Sequence, residues 1–338
     1  RLAAIGGATP GLHAALPLQG SGHFAVEAAV RSFVPAAGKL LLPMTGAYAD
    51  RMHRLAREAG RVVVPLAVRA ERPVEPAAVS AALAADPEIS HVGLVYSETG
   101  SGVIHDARAI GAAVRRAGRR MLLDAVSAFG ALPLDLSAQP EIDAAVFTPN
   151  KCLESLPGLA VVLARTDRLK AGLAGSWCFD LADTLCHAER VGWGSFRFTP
   201  PAQVIAALIV ALDLFDAEGG RLARFARYEA NSATLYDGVL RLGLSPCLPR
   251  DVQGPVVMNV HAPADPAWDL QGFVDLLKSR GFVISNFYNT PEPSFRVGCI
   301  GAITPADMAR FIDAMDWALR RLGVRHRAGG RDPAGIPA

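Results

Sequence analysis

The chain has little net charge. Its 34 Lys and Arg stand against 32 Asp and Glu, a formal balance of +2 over 338 residues, so composition gives no general case for nucleic acid or an anionic membrane surface as a partner. No run of 18 apolar residues occurs, which excludes a membrane-spanning helix on the pattern alone. Cysteine is scarce: Cys152, Cys178, Cys186, Cys247 and Cys299 are scattered and odd in number. They make neither a disulfide framework nor a CxxC metal pair, and a reducing compartment, the cytoplasm, is the expected setting. The glycine cluster near residue 20 does not read GxGxxG, which argues against a dinucleotide fold. Internal repeats are absent. The opening Arg1-Leu2-Ala3-Ala4-Ile5-Gly6-Gly7 has no signal-peptide h-region and no initiator Met, and reads as the start of a trimmed or incompletely represented chain.

What is present is 51% hydrophobic sequence, enough for a sizeable core, at a length that suits one large domain and a smaller one. Apolar runs at 38–43, 61–66, 91–96, 119–124, 143–148 and 158–165 predict strands, and amphipathic stretches at 22–34, 46–59, 75–86 and 105–117 predict helices between them. Such alternation implies a mostly parallel sheet covered on both faces, with ligands gathering outside the carboxyl ends of the strands. From 200 to 242 the pattern is helical with a break at Gly219-Gly220. A strand near 255–261, a helix near 268–280, short strands near 282–285 and 294–299 and a helix near 304–322 follow. The expected division is a large domain over 1–215, a small C-terminal α+β domain over 216–325 and a mobile Gly/Pro/Arg-rich tail over 326–338.

Lys151 follows the apolar run Ala144–Phe147, and Asp124 closes Met121-Leu122-Leu123 twenty-seven positions earlier. An amine and a carboxylate at the carboxyl ends of neighbouring buried strands suit pyridoxal phosphate, which needs an amine to hold its aldehyde and an acid beside its ring nitrogen. Lys151 would also shuttle a proton to and from the substrate carbon. Gln19-Gly20-Ser21-Gly22-His23 opens a helix, where backbone N–H groups cradle phosphate. Tyr48 could stack on a planar ring, and Thr99, in the segment SETGSG, could bond the cofactor's edge. Thr199, before Pro200-Pro201, offers a second phosphate donor delivered by a partner subunit. Arg296 lies inside an apolar strand, where a guanidinium needs an anion such as a carboxylate or phosphonate. Singly, each has a plainer use. Lys151 would be a surface lysine, Asp124 a turn residue or cap, and Ser21 and Thr199 helix caps. His23 would be a packed histidine, Tyr48 a core aromatic, Thr99 loop polarity and Arg296 half of a salt bridge.

Taken together, the segments LQGSGHFAVEA, ADPEISH, SETGSG, DAVSAFG, NKC, RFTPP and FRVGCIG, in that order from Leu18 to about residue 320, resemble the fold-type I pyridoxal-phosphate enzymes of the class V aminotransferase group. Within it they look most like the enzymes acting on 2-aminoethylphosphonate and pyruvate. The resemblance implies an α/β fold, with a mostly parallel seven-stranded-type sheet flanked by helices and a smaller C-terminal α+β domain. It implies pyridoxal 5'-phosphate held by Lys151, with Asp124 on the pyridinium and Ser21, Gly22 and His23 on the phosphate. Asn150 would sit beside the lysine, Tyr48 would lie on the ring, Thr99 would reach the cofactor and Thr199 would cross from the other subunit. Arg296 would clamp the substrate's acid group. The implied reaction takes a small-molecule amino donor and a keto acid to phosphonoacetaldehyde and alanine, in a homodimer with an interfacial active site and with no metal.

Three features depart from the group's pattern. His23 stands where the aminoethylphosphonate enzymes usually have Thr and is similar instead to the alanine–glyoxylate aminotransferases. An alanine–glyoxylate or serine–pyruvate type reaction is therefore the alternative, with a pyridoxal-phosphate lyase on the same scaffold as a third. The segment Asn286-Phe287-Tyr288-Asn289 is unlike the usual one. Members of the group carry a longer stretch before the Ser-Gly motif, including a Gly-Pro piece that enters the active site. Twenty residues precede Ser21 here, so a short or missing N-terminal arm is expected.

Overall fold

Near-continuous apolar runs become the buried strands of one sheet, and the helical periods between them become its two covering layers. A computed structural model describes residues 1–286 and 292–329, in two compact units: Arg1–Ser97 with His105–Arg224, and Glu98–Ile104 with the chain from Phe225 on. The first unit contains, in chain order, α1 (Leu2–Ile5), β1 (His13–Gln19), α2 (Gly22–Phe33), β2 (Lys39–Pro43), α3 (Ala47–Glu58), β3 (Val62–Leu66) and α4 (Pro76–Ala85). It continues with β4 (Ile89–Val95), α5 (Ala107–Arg116), β5 (Arg120–Asp124), β6 (Ile142–Phe147), β7 (Leu159–Arg165), α6 (Leu181–Val191) and α7 (Ala202–Glu218).

The sheet order is β1-β7-β6-β5-β4-β2-β3. β7 runs antiparallel to both neighbours, and the remaining pairings are parallel. All of β6, and all but the first residue of β5, is buried, as expected of parallel strands covered on both faces. Asp124 pairs in register with Val146, so the carboxyl ends of β5 and β6 are level. That register sets Asp124 and the turn carrying Lys151 at one edge of the sheet.

Besides the single turn α1, β1 and α6 are absent from the sequence expectation. β1 contains Pro17, which cannot donate to a ladder, yet β1 is the edge strand, where the missing N–H is tolerated. α6 is fixed by Asp180, whose carboxylate accepts from the N–H groups of Ala182 and Asp183 at 2.8 and 3.0 Å.

The long helical stretch is two helices. Gly219 and Gly220 adopt φ of +108° and +71°, left-handed values that glycine reaches without a Cβ penalty, and the chain restarts as α8 (Gly220–Arg241), within which the boundary between the units falls. The second unit adds β8 (Val257–His261), α9 (Leu270–Ser279), β9 (Ser294–Gly298) and α10 (Pro305–Leu322). Its core gathers Met258, Phe273, Phe295, Phe311, Ile312 and Met315.

The expected strand at 282–285 does not form. β8 and β9 pair with each other, from Val257↔Gly298 to His261↔Ser294, while Val283 is 77% exposed and Phe282 is held by its ring against Phe311 instead. α10 starts with a capping box, Thr304 and Asp307, and stops at Gly323 in the left-handed conformation. Beyond it, the N–H groups of Arg325 and His326 both donate to Asp265 at 2.7 Å; residues 330–338 of the expected tail lie outside the described residues. Among the described residues no helix is long and apolar enough to cross a membrane, and all five cysteines are free thiols.

Candidate active site

A cavity of about 360 Å³ opens at the level carboxyl edge of β5 and β6, beside the N-terminus of α2. Ser21, Gly22, His23, Tyr48, Asp124, Asn150 and Lys151 all line it, so seven of the ten residues singled out in the sequence share one space. The volume is in the range of small-molecule sites.

The start of α2 lines one end of the cavity. The first N–H groups of a helix have no partner within it. Ser21 occupies the cap position, but its hydroxyl makes no cap bond, so the plain capping role is not realised. Gly22 is glycine because of crowding. A Cβ there would stand 2.7 Å from Val126 Cγ2 and 3.4 Å from Thr148 Cγ2, the loops after β5 and β6 against which the helix start is pressed.

Behind the cradle, three side chains of α2 and α3 form a stack. The rings of His23 and Tyr48 lie 6.3 Å apart and 20° from parallel. The Arg51 guanidinium sits 4.8 Å from the Tyr48 ring centre and 3.3 Å from His23 Nε2. Burial, and then the Arg51 charge, lower the His23 pKa, which keeps the ring neutral at pH 7. Since a guanidinium can only donate, Nε2 is the acceptor and Nδ1 carries the hydrogen. Tyr48 is half-buried and packs on the core as well as facing the cavity. Arg51 lines the cavity too but drew no role from the sequence. An arginine on an amphipathic helix carries no signal until α3 is docked against α2.

Asp124 is 7% exposed and accepts the Val126 N–H at 3.0 Å. Lys151 is half-buried on a tight turn, closed by Glu154 N–H to Lys151 O and Ser155 N–H to Pro149 O, both at 3.0 Å. Glu154 has φ +59°, the one left-handed non-glycine among the described residues. Next to the lysine, Cys152 is fully buried and its thiol is pushed up to about 12 by that burial, so it offers no thiolate to compete with the amine.

Three predicted residues are not among those lining this cavity. Thr199 is exposed and lines a separate cavity of about 640 Å³ with Leu18, Phe24, Phe179, Trp193 and Phe198. Pro201, not Thr199, holds the cap position of α7. Thr99 and Arg296 belong to the second unit, where Arg296 Nη1 donates to the Thr99 carbonyl at 3.2 Å and Nη2 to Ser285 Oγ at 3.5 Å. Among the described residues none of its partners is a carboxylate, so the salt-bridge reading of Arg296 is not realised. Asn259, also missed in the sequence, holds the same loop through bonds from Nδ2 to the carbonyls of Gly100 and Ser101 at 2.9 and 3.0 Å. Of the unusual segment before β9, Asn286 donates to Gln271 Oε1 at 3.1 Å, and Phe287, Tyr288 and Asn289 lie outside the described residues.

The profile of the family described as aminotransferase class-V matches residues 16–255. A 2-aminoethylphosphonate–pyruvate transaminase from Burkholderia ambifaria is 44% identical over 311 residues, 91% of this chain and 83% of that one. Its counterpart from Paraburkholderia phymatum is 42% identical over 312 residues, 92% and 84% of the two chains. Among solved structures, pyridoxamine–pyruvate aminotransferase from Mesorhizobium loti matches with a TM-score of 0.86 and 26% identity, covering 96% of this chain and 83% of that one.

Proposed function

The chain belongs to the class V aminotransferases, a pyridoxal-phosphate-dependent family, and we propose that it moves the amino group of 2-aminoethylphosphonate to pyruvate, yielding phosphonoacetaldehyde and alanine. The observation that carries the reading is one cavity faced by the Lys151 amine, the Asp124 carboxylate and the α2 N-terminus. The substrate assignment draws on the relatives of that name at 39–44% identity over most of the chain.

The donor set fits the cofactor chemically. A phosphate dianion suits backbone N–H groups and a hydroxyl, a protonated ring nitrogen suits a buried carboxylate, and an aldehyde needs an amine. When bound, pyridoxal phosphate supplies the carbonyl that takes up the amino group and a ring that accepts the electrons of the bond being broken. Ser21, with the N–H groups of Gly22 and His23, orients the phosphate, and Tyr48 flanks the ring. Asp124 would face the ring nitrogen and hold its proton. Lys151 would hold the aldehyde, and its Nζ would carry a proton to and from the donor carbon. Asn150 positions the lysine's neighbourhood, and Thr99 reaches the cofactor's edge. Arg296 binds the phosphonate or carboxylate, its charge being matched only by neutral acceptors among the described residues.

The reading includes a homodimer in which Thr199 serves the partner's phosphate. Support comes from Thr199 lying exposed beside Trp193, which is 65% exposed, and Phe198. Five free thiols suit a cytoplasmic setting.

The test is the absorption spectrum of the loaded protein. Adding 2-aminoethylphosphonate alone should bleach the visible band, and pyruvate should restore it with formation of alanine. Steady-state double-reciprocal lines should be parallel. A band that ignores 2-aminoethylphosphonate but responds to alanine with glyoxylate would move the assignment to the alternative that His23 favours. Borohydride should fix the cofactor to Lys151, and an adduct on another lysine would sink the reading.

A further inference from the structure

We infer that Arg224 is a positioning residue for Lys151, holding the turn that aims its amine; the inference rests on the reading of the site given above. Arg224 is 1% exposed and lies in the first turn of α8. Its Nη1 donates to the carbonyl of Cys152, the residue after Lys151, at 2.6 Å. Nε donates to Glu218 Oε2 at 2.6 Å, and Nη1 also lies 3.4 Å from Glu154 Oε1. The ring of Phe215 covers the guanidinium at 5.2 Å. A charge this deep persists only when paired and hydrogen-bonded, and the pairing is built from both sides of the Gly219-Gly220 reversal: Glu218 ends α7 and Arg224 begins α8.

The turn it grips has no ladder or helix to hold it. Further restraints come from the loop after β5. Cys152 Sγ reaches Ser127 O at 3.6 Å, and buried Leu153 packs against Gly130, where a Cβ would stand 2.7 Å from Leu153 Cδ2. Glu154 keeps a left-handed backbone at φ +59°, a conformation that persists only when its surroundings over-determine it. Arg224 Nη1 meets both the Cys152 carbonyl and the Glu154 carboxylate while Nε is anchored on Glu218, so one planar guanidinium ties the residue after Lys151 and the strained residue to the end of α7. A four-carbon side chain magnifies any tilt of its own backbone, and a displacement of about 1 Å at reacting atoms costs about a hundredfold in rate.

The test compares Arg224→Lys and Glu218→Gln with the wild type in two readouts. The first is steady-state kinetics, in which Arg224→Lys should lower kcat about a hundredfold with KM little changed, because an ammonium cannot make the planar fork that reaches Glu218 and the Cys152 carbonyl together. The second needs no turnover. Cofactor-free protein is treated with pyridoxal phosphate and borohydride, and labelling is read by peptide mass at Lys151, with exposed Lys170 and Lys278 as internal references. Wild type should label first at Lys151, and failure there sinks the reading of the site itself. If wild type labels as expected, Arg224→Lys should slow labelling at Lys151 about tenfold and leave Lys170 and Lys278 unchanged. Wild-type labelling and kcat in a merely less heat-stable Arg224→Lys would overturn the inference and make Arg224 structural only. Should Arg224→Lys fail to fold, Glu218→Gln carries the test, since it weakens the anchor and spares the Cys152 bond. A smaller loss of the same kind supports the inference, and wild-type values overturn it.

Discussion

Two buried carboxylates stand at opposite ends of one parallel strand pair. Asp124 closes β5 at the carboxyl edge; Asp143 is the second residue of β6, at the amino edge. Asp143, 2% exposed, is surrounded by the chain's own cations. It accepts from Arg120 Nε at 2.8 Å and also from Nη2, faces His91 Nε2 at 3.3 Å, and has Arg168 at 3.8 Å. Burial raises its carboxyl, but His91 and Arg120 outweigh that and leave the pKa below the ordinary value. Asp124 takes a backbone N–H and lines a cavity. The same residue type, at similar depth in the same sheet, sits in an ion cluster at one edge and lines a ligand-sized space at the other. Parallel strands direct ligands to their carboxyl ends, and the cavity opens at that edge while the Asp143 cluster fills the other.

Exchanging the chemistry at the two edges should separate their purposes. Asp143→Asn strips the charge from a buried ion cluster and should cost about 3–5 kcal/mol of stability, read by urea unfolding, with activity per folded molecule unchanged. Asp124→Asn should do the reverse, lowering kcat by about a hundredfold or more with a much smaller change in unfolding. Similar losses of both kinds in both variants would erase the contrast.

Acid sharpens it further, because His105 belongs to the carboxyl edge without lining the cavity. Its N–H bonds to Tyr96 O, just past β4, and its Nδ1 accepts from Val74 N–H at 3.1 Å. Burial pushes its pKa from 6.5 down to about 4. The unfolded chain therefore takes up the proton first, and stability should fall as the pH drops from about 6.5 to about 4, by roughly 3 kcal/mol. Asp143 acts lower down. Its depressed carboxyl contributes fully above its ordinary value of 3.8 and is lost as the pH falls through the lower folded value. His105→Asn should shrink the upper limb and leave the part that the depressed His13 and His23 contribute, and a slope left unchanged would remove burial of this ring as a cause.

The smallest expected effect is at the cradle. A capping serine replaced by alanine normally costs about 1 kcal/mol of fold stability. Here the Ser21 hydroxyl makes no cap bond, so Ser21→Ala should leave cofactor-free unfolding untouched and weaken pyridoxal-phosphate binding about five- to tenfold. A shift in the unfolding midpoint instead would return Ser21 to the role of a cap.

Most of the first unit was legible because buried parallel strands write themselves as unbroken apolar runs. β2 to β7 fall within a residue or two of their expected positions for that reason. β1 was hidden by its proline and by the alternation of an edge strand, and α6 by lying in a stretch with no strand beside it to set a period. The strand expected at 282–285 was apolar enough but had no partner edge. At the site, Lys151 and Asp124 were legible because chain order alone puts them after neighbouring strands. Arg51, Arg224 and Asn259 were not. An arginine inside a helical pattern reads as surface, and an asparagine within an apolar strand reads as an interruption. Each gains meaning only from a contact with a distant segment, 72 residues away for Arg224 and Cys152.

One consequence of the edge strand concerns time rather than place. Ser21 stands two residues past the end of β1, and β1 is held in the sheet by β7, with His13 opposite Arg165 and Gln19 opposite Leu159. The segment at Ser21 is thus synthesised well before β7, the strand that pairs with β1 in the sheet. Closing a loop of that length before any pairing rewards it is slow. A nascent chain therefore carries its phosphate motif for well over a hundred residues before β7 is there to pair with β1.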